Sequence, residues 1–143
     1  MRDNGECENT EVSDDVIYRS PDDAQRLLLS RLWLRTRALF EEQFGDLETT
    51  YVLMAVGLGR MNNAPVDIST IAAITGISRP TVRRKVLALQ EQGTVIVERV
   101  GNRTSVCSSA TGVRDTVAMT DRWARMVMQT ARELAEVRNS SCD

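Results

Sequence analysis

Residues 67–107 read Asp67-Ile-Ser-Thr-Ile-Ala-Ala-Ile-Thr-Gly76-Ile-Ser-Arg-Pro-Thr-Val-Arg-Arg-Lys-Val86-Leu-Ala-Leu-Gln-Glu-Gln-Gly93, then Thr94-Val-Ile-Val-Glu-Arg-Val100-Gly-Asn-Arg103-Thr-Ser-Val-Cys107. The spacing predicts two short helices across a tight turn, followed by a β-ribbon. Asp67 suits an N-cap, because its carboxylate can accept from free first-turn N–H groups. Ile68, Ile71, Ala72 and Ile74 form an apolar stripe at helical spacing. Gly76 stops that helix where the backbone must turn left-handed. Ser78 is placed to cap the next helix, with Pro80 in its first turn, where a missing N–H costs little. Val82, Val86 and Leu89 recur at four and three residues, which gives that helix one buried face before Gly93.

Small Ala72 permits a close helix crossing, Gly76 makes the turn, and Val82 packs the second helix on the first. This Ala-x3-Gly-x5-Val spacing resembles the pattern of helix-turn-helix proteins; Lys85 stands where that pattern has an apolar residue, leaving Val86 the inward role. The plain alternative is an ordinary helical hairpin. What lies after it argues for more. Residues 94–100 and 103–107 are rich in β-branched side chains, and Gly101-Asn102 between them suits a two-residue hairpin turn. A helix-turn-helix followed by such a ribbon has the layout of a winged helix.

The side chains left off the buried stripe are those a DNA reader needs. Arg79, Thr81, Arg83 and Arg84 sit at the start of the second helix, where a recognition helix reaches base edges in the major groove. Ser78, Lys85, Arg99, Asn102 and Arg103 are placed to hold the phosphate backbone, the last three at the ribbon tip. The competing reading is a solvated basic face.

Taken alone, the net charge of −2 argues against nucleic acid. Its distribution argues the reverse. Residues 1–23 carry a net charge of −6, residues 79–103 carry +4, and the two remaining segments are neutral. The positive charge is thus concentrated on the helix and ribbon, and the acidity in the N-terminal stretch. Seventeen of the eighteen basic residues are arginine, which suits bidentate contacts and also fits a GC-rich genome. There is no histidine, and the three cysteines, Cys7, Cys107 and Cys142, have no metal-ligand spacing. No phosphate loop or nucleophile elbow appears, so neither enzyme activity nor a cofactor or metal is expected. The odd, unpaired cysteines and the lack of a signal peptide or membrane span predict a cytoplasmic protein. Cys107 reads as a buried structural thiol.

Outside the motif, residues 1–19 read as a flexible acidic tail, with an ordered piece near Val16-Ile-Tyr18 as the exception. Ser20-Pro-Asp-Asp23 starts a helix to about Phe44 that carries Leu29, Leu32, Trp33, Leu34 and Phe40 on more than one face. Asp46 caps a second helix to about Arg60, and Ala64-Pro-Val66 suggests a short strand beside the ribbon. A last helix is predicted from about Gly112 to Val137. Its Val113, Val117, Thr120, Ala124, Val127, Ala131 and Leu134 form a heptad-like seam, with Met119, Trp123 and Met126 in a neighbouring strip. Surplus apolar surface on both terminal helices predicts a homodimer; the simpler alternative is one amphipathic helix on a monomer core.

In this order of elements, with Ile71-Ala-Ala-Ile-Thr-Gly-Ile-Ser-Arg-Pro-Thr-Val82 at its centre and Thr111-Gly112 entering the last helix, the chain resembles the MarR family of winged helix-turn-helix regulators across roughly Ser20 to Val137. At the wing, Glu98, Arg99 and Arg103 replace that family's Asp-x-Arg pattern. The resemblance implies a mainly α fold with a small β-wing. Residues 20–137 form one domain, in which 20–60 and 112–137 are dimerisation helices and 64–108 the DNA-binding lobe, with a second tail at 138–143. It implies a sequence-specific regulator, often a repressor, that binds double-stranded DNA as a homodimer on a pseudopalindrome. A small-molecule effector between the dimer helices and the lobe is the further partner implied. The alternative is a winged helix that binds protein rather than DNA.

Overall fold

The computed structural model describes residues 20–140; the tail at 1–19, Cys7 and Cys142 lie outside them. The elements are α1 (Pro21–Phe44), α2 (Leu47–Met61), β1 (Val66–Asp67), α3 (Ile68–Thr75), α4 (Arg79–Glu91), β2 (Val95–Val100), β3 (Arg103–Ser108) and α5 (Ala110–Asn139). The fold is mainly helical with one small antiparallel sheet, in the order β1-β3-β2.

Local chemistry sets most boundaries. Ser20, Asp46, Asp67 and Ser109 each accept a first-turn N–H, from Asp23, Thr49, Thr70 and Gly112 respectively. Gly45 ends α1 and Gly76 ends α3 at φ of 88° and 73°. Pro65 has no N–H to pair, so the strand predicted over 64–66 forms only at Val66–Asp67, against Val106 and Ser105. Thr94 is likewise not part of the ribbon. Its N–H closes α4 on the Leu89 carbonyl, and its own carbonyl accepts from the Ser109 N–H and hydroxyl. The same Ser109 hydroxyl, as cap, starts α5 two residues earlier than predicted.

Two cores result. The lobe core contains Val52, Leu53, Ala55 and Val56 of α2 with Ile71, Val82, Val86, Leu89, Val95 and Val106. Ile74, expected in the α3 stripe, is exposed; α3 is too short to bury it, and Ile77 beyond the turn packs against the core instead. The second core joins α1 to α5 through Leu39, Phe40 and Met119, with Met54, Trp123 and Met126 against them. Phe40 and Trp123 meet edge to face at 5.5 Å, and the Trp123 indole N–H donates to Thr36 Oγ1 at 3.1 Å. Phe44 packs against both cores.

Of the two strips on α5, the Met119/Trp123/Met126 strip is the one that packs on α1. Val117, Thr120, Ala124, Val127 and Ala131 of the heptad-like seam stay exposed, as does Trp33 of α1 at 70%.

Two helical glycines give opposite expectations. At Gly57 a Cβ meets nothing within 4 Å, whereas at Gly112 it would overlap the Thr94 carbonyl oxygen. Glycine in a helix costs about 1 kcal/mol relative to alanine, but overpacking costs about 1–3 kcal/mol. Gly57→Ala should therefore raise the urea midpoint and Gly112→Ala should lower it.

Candidate nucleic-acid interface

Helix α4 turns Val82, Val86 and Leu89 inward, and that register turns Arg79, Arg83 and Arg84 out to solvent. Thr81 is half-buried. The expected Ser78 cap does not form. The Ser78 hydroxyl instead donates to Thr81 Oγ1 at 3.0 Å, and Pro80 removes one of the N–H groups a cap would use. Each of the other four helices has a side-chain cap. The start of α4 thus keeps free N–H groups among arginines, where the helix dipole also favours an anion.

The ribbon stands beside it. Val100 pairs with Arg103 across Gly101-Asn102, and Gly101 has φ 62°. A positive φ at the first turn position is the place a type II′ hairpin gives to glycine. Side-chain parity separates the wing arginines: Arg99 shares a ribbon face with Val95 and Val97, while Arg103 lies on the other face with Ser105 and Cys107. Strand β1 shows which of them shares a face with Asp67. Asp67 pairs with Ser105, so its carboxylate lies near Arg103 as well as Arg79. The Thr70 N–H and hydroxyl hold the Asp67 carboxyl below the usual range; partial burial opposes this, and Arg103 and then Arg79 reinforce it. One acid thus lies between Arg103 of the ribbon and Arg79 of α4.

Arg83, Arg84, Arg99 and Arg103 have no carboxylate within 4 Å among the described residues. Lys85 differs from the sequence expectation of a phosphate contact. Its side chain is only 20% exposed, and its ammonium donates to Asp46 Oδ2 at 2.9 Å, with Glu48 at 3.9 Å. The structure thus gathers Ser78, Arg79, Thr81, Arg83 and Arg84 at one helix start with Arg103 nearby, sets Arg99 and Asn102 at the ribbon tip, and turns Lys85 inward. Sequence reasoning missed Asp67 as the shared acid and Asp46 as the partner of Lys85. The first is signalled only by its cap role, and the second lies 39 residues away with no local signal.

Cys107 is half-buried rather than buried, and lines a cleft that Arg60 also lines. Among the described residues, no cluster of His, Cys, Asp or Glu is placed to hold a metal ion. No described helix is long and apolar enough to cross a membrane. Between α2 and α5 lies an apolar cavity of about 320 Å³, lined by Met54, Leu58, Met61, Val117, Thr120 and Trp123 among others.

No protein-family model matches the chain, and no curated protein does. Solved structures do. MepR, a transcription regulator of the Staphylococcus aureus multidrug efflux pump MepA, superposes with a TM-score of 0.67 at 16% identity, over 82% of this chain and 86% of that one. A mutant of MepR was solved bound to an oligodeoxyribonucleotide. A MarR-family transcriptional regulator from Rhodococcus sp. RHA1 gives 0.56 at 16% identity, over 78% and 81%. Bordetella bronchiseptica BpsR, whose DNA binding is regulated by 6-hydroxynicotinic acid, gives 0.53 at 18% identity, over 73% and 78%. The fold is the winged helix of the MarR-family regulators.

Because the folded Asp67 carboxyl titrates below its unfolded value of about 4, the stability it supplies is present above that pH and is lost as pH falls through the folded value. Asp67→Asn keeps a capping oxygen but no charge. Its unfolding free energy should vary less with pH below about 4 than that of the wild type, in denaturant titrations at successive pH values.

Proposed function

We propose that this chain is a MarR-family transcriptional regulator that binds double-stranded DNA in a sequence-specific way as a homodimer. The observation that carries the reading is the register of α4, which buries Val82, Val86 and Leu89 and leaves Arg79, Arg83 and Arg84 exposed at its start, with Arg99 and Arg103 exposed at the ribbon tip. Arg79, Thr81, Arg83 and Arg84 would face base edges and neighbouring phosphates. Ser78, Arg99, Asn102 and Arg103 would hold the backbone. Phosphate contacts position such a protein and base contacts specify its sequence, so the two groups have different signatures.

The homodimer rests on the exposed seam. Val117, Ala124, Val127 and Ala131 on α5, with Leu29 and Trp33 on α1, are exposed apolar side chains on both terminal helices, the kind of surface that marks an interaction site. We assign residues 20–60 and 112–137 to that interface and 64–108 to the DNA-binding lobe. Two recognition helices would then enter successive major grooves about 34–36 Å apart. The α2–α5 cavity, with apolar walls and Trp123 at its side, would take an apolar small-molecule effector at the joint between these parts.

Binding to a duplex selected from a randomised pool tests the reading. Arg84→Ala should cost about 1–3 kcal/mol and relax preference at one or two base pairs. Arg103→Ala should weaken binding to all sequences alike and lower the slope of log affinity against log salt by about 0.9. Absence of any salt-dependent DNA binding by the wild type would reject the reading in favour of a protein-binding winged helix. For the dimer, Val127→Glu places a charge on the seam. Sedimentation equilibrium should show a shift from dimer to monomer, with a parallel loss of affinity for the two-half-site duplex.

A further inference from the structure

The recognition helix carries one inward-turned charge, and it is held by the first turn of a different helix. Among the described residues, Lys85 is the only α4 side chain in an ion pair. Asp46, its partner, is the N-cap of α2, where Oδ1 accepts the Thr49 N–H at 2.7 Å and Oδ2 the Thr49 hydroxyl at 2.8 Å. That carboxylate is therefore fixed in direction before Lys85 reaches it. Glu48, two residues on, adds a second negative charge at 3.9 Å.

The lobe core sets the rotation of α4 through aliphatic packing. Val82, Val86 and Leu89 fix which face is buried, but a stripe of three aliphatic side chains resists rotation about the helix axis only through packing, which is not directional. A 2.9 Å charge-assisted hydrogen bond is directional. Lys85 follows Arg84 directly and lies two residues from Arg83, so the angle that satisfies Lys85 also sets the angle at which those arginines project.

We infer that Lys85 is a positioning residue for DNA recognition, held by Asp46 and Glu48, and that these two acids are needed for tight DNA binding although neither touches DNA. This rests on the DNA-binding reading above. It opposes what simple electrostatics says. Removing a negative charge from the lobe should, by long-range attraction alone, leave DNA affinity unchanged or raise it; the positioning role requires affinity to fall.

The test uses the full chain and the duplex selected above, with affinity measured as a function of salt for Lys85→Gln, Asp46→Asn and the double variant. Asparagine is as good an N-cap as aspartate, so α2 keeps its start while the 2.9 Å contact to Lys85 is lost and only the longer one to Glu48 at 3.9 Å remains. Each single variant should bind about 5-fold more weakly, the size of effect a part-buried ion pair supports. The double variant should be no weaker than either single one, and the salt slope should stay at the wild-type value in all three. Lys85→Arg, which keeps the charge, should bind within about 2-fold of wild type.

A phosphate contact by Lys85 would instead lower the slope of Lys85→Gln by about 0.9 and leave Asp46→Asn no weaker than wild type. A purely structural role would lower the melting temperature of the variants while affinity, measured well below it, stayed unchanged. Either result overturns the positioning role. If the wild-type chain binds no DNA at any salt, the functional reading falls first and the positioning role falls with it.

Discussion

Helix α2 has to be buried on two sides at once, and the rest of the molecule is arranged around that requirement. Val52, Leu53, Ala55 and Val56 point into the lobe core, while Leu47 and Met54 pack on the Leu39/Phe40/Met119 core. Full burial of one such aliphatic side chain is worth about 1.5–3 kcal/mol, so neither set can be withdrawn from its core cheaply. Both ends of α2 are then available for finer adjustment. At its C-terminal end Gly59 lets β1 pass closely, since a Cβ there would lie 2.7 Å from the Ala64 carbonyl oxygen and 2.8 Å from Val66 Cγ1. At its N-terminal end Asp46 holds Lys85. The hydrophobic terms set where α4 lies, and the much smaller ion pair acts only on how it is rotated.

The same constraint explains how the terminal helices meet the lobe. α1 and α5 reach it at few places: Phe44 packs against both cores, and the Ser109 hydroxyl donates to the Gly93 and Thr94 carbonyls at 2.6 and 2.9 Å. Gly112 brings the first turn of α5 against the Thr94 carbonyl with no side chain between them. The junction between α4 and β2 is thereby attached to the start of the helix whose far side carries the exposed seam.

Much of this was legible in the sequence because the signals are local. Caps, glycine stops and the four-and-three spacing of Val82, Val86 and Leu89 each depend on residues within one or two turns. The heptad-like seam and its neighbouring strip were also separable by spacing, and the structure assigns one to solvent and the other to α1. What the sequence left open depends on pairings across long separations. The central position of α2 follows from contacts with α1, α3, α4, α5, β1 and β3, none of which its own pattern specifies. Ile74 looked like core because periodicity cannot tell that an eight-residue helix ends before that position is covered. Lys85 looked like a phosphate ligand because its neighbours Arg83 and Arg84 point outward, while the acid that turns it inward is 39 residues away.

The site itself turns on whether an acid among arginines helps or hinders. Asp67 brings a negative charge to a surface read as one for phosphate, which by Coulomb attraction alone is unfavourable. Its charge is already shared, however, with the Thr70 N–H, the Thr70 hydroxyl and the α3 dipole, and it is held at both ends by β1 pairing and helix capping. What reaches solvent is a weakened, fixed anion with neither Arg79 nor Arg103 within ion-pair distance. Holding either arginine on it would cost up to about 1.5–2 kcal/mol of rotamer freedom, more than the screened attraction of one partly neutralised carboxylate at a wet surface, about 1 kcal/mol or less at 4 Å in bulk water. The same screening limits its repulsion of a phosphate. On those magnitudes the acid takes little from the cationic surface, and the acidic balance of the whole chain is no argument against one.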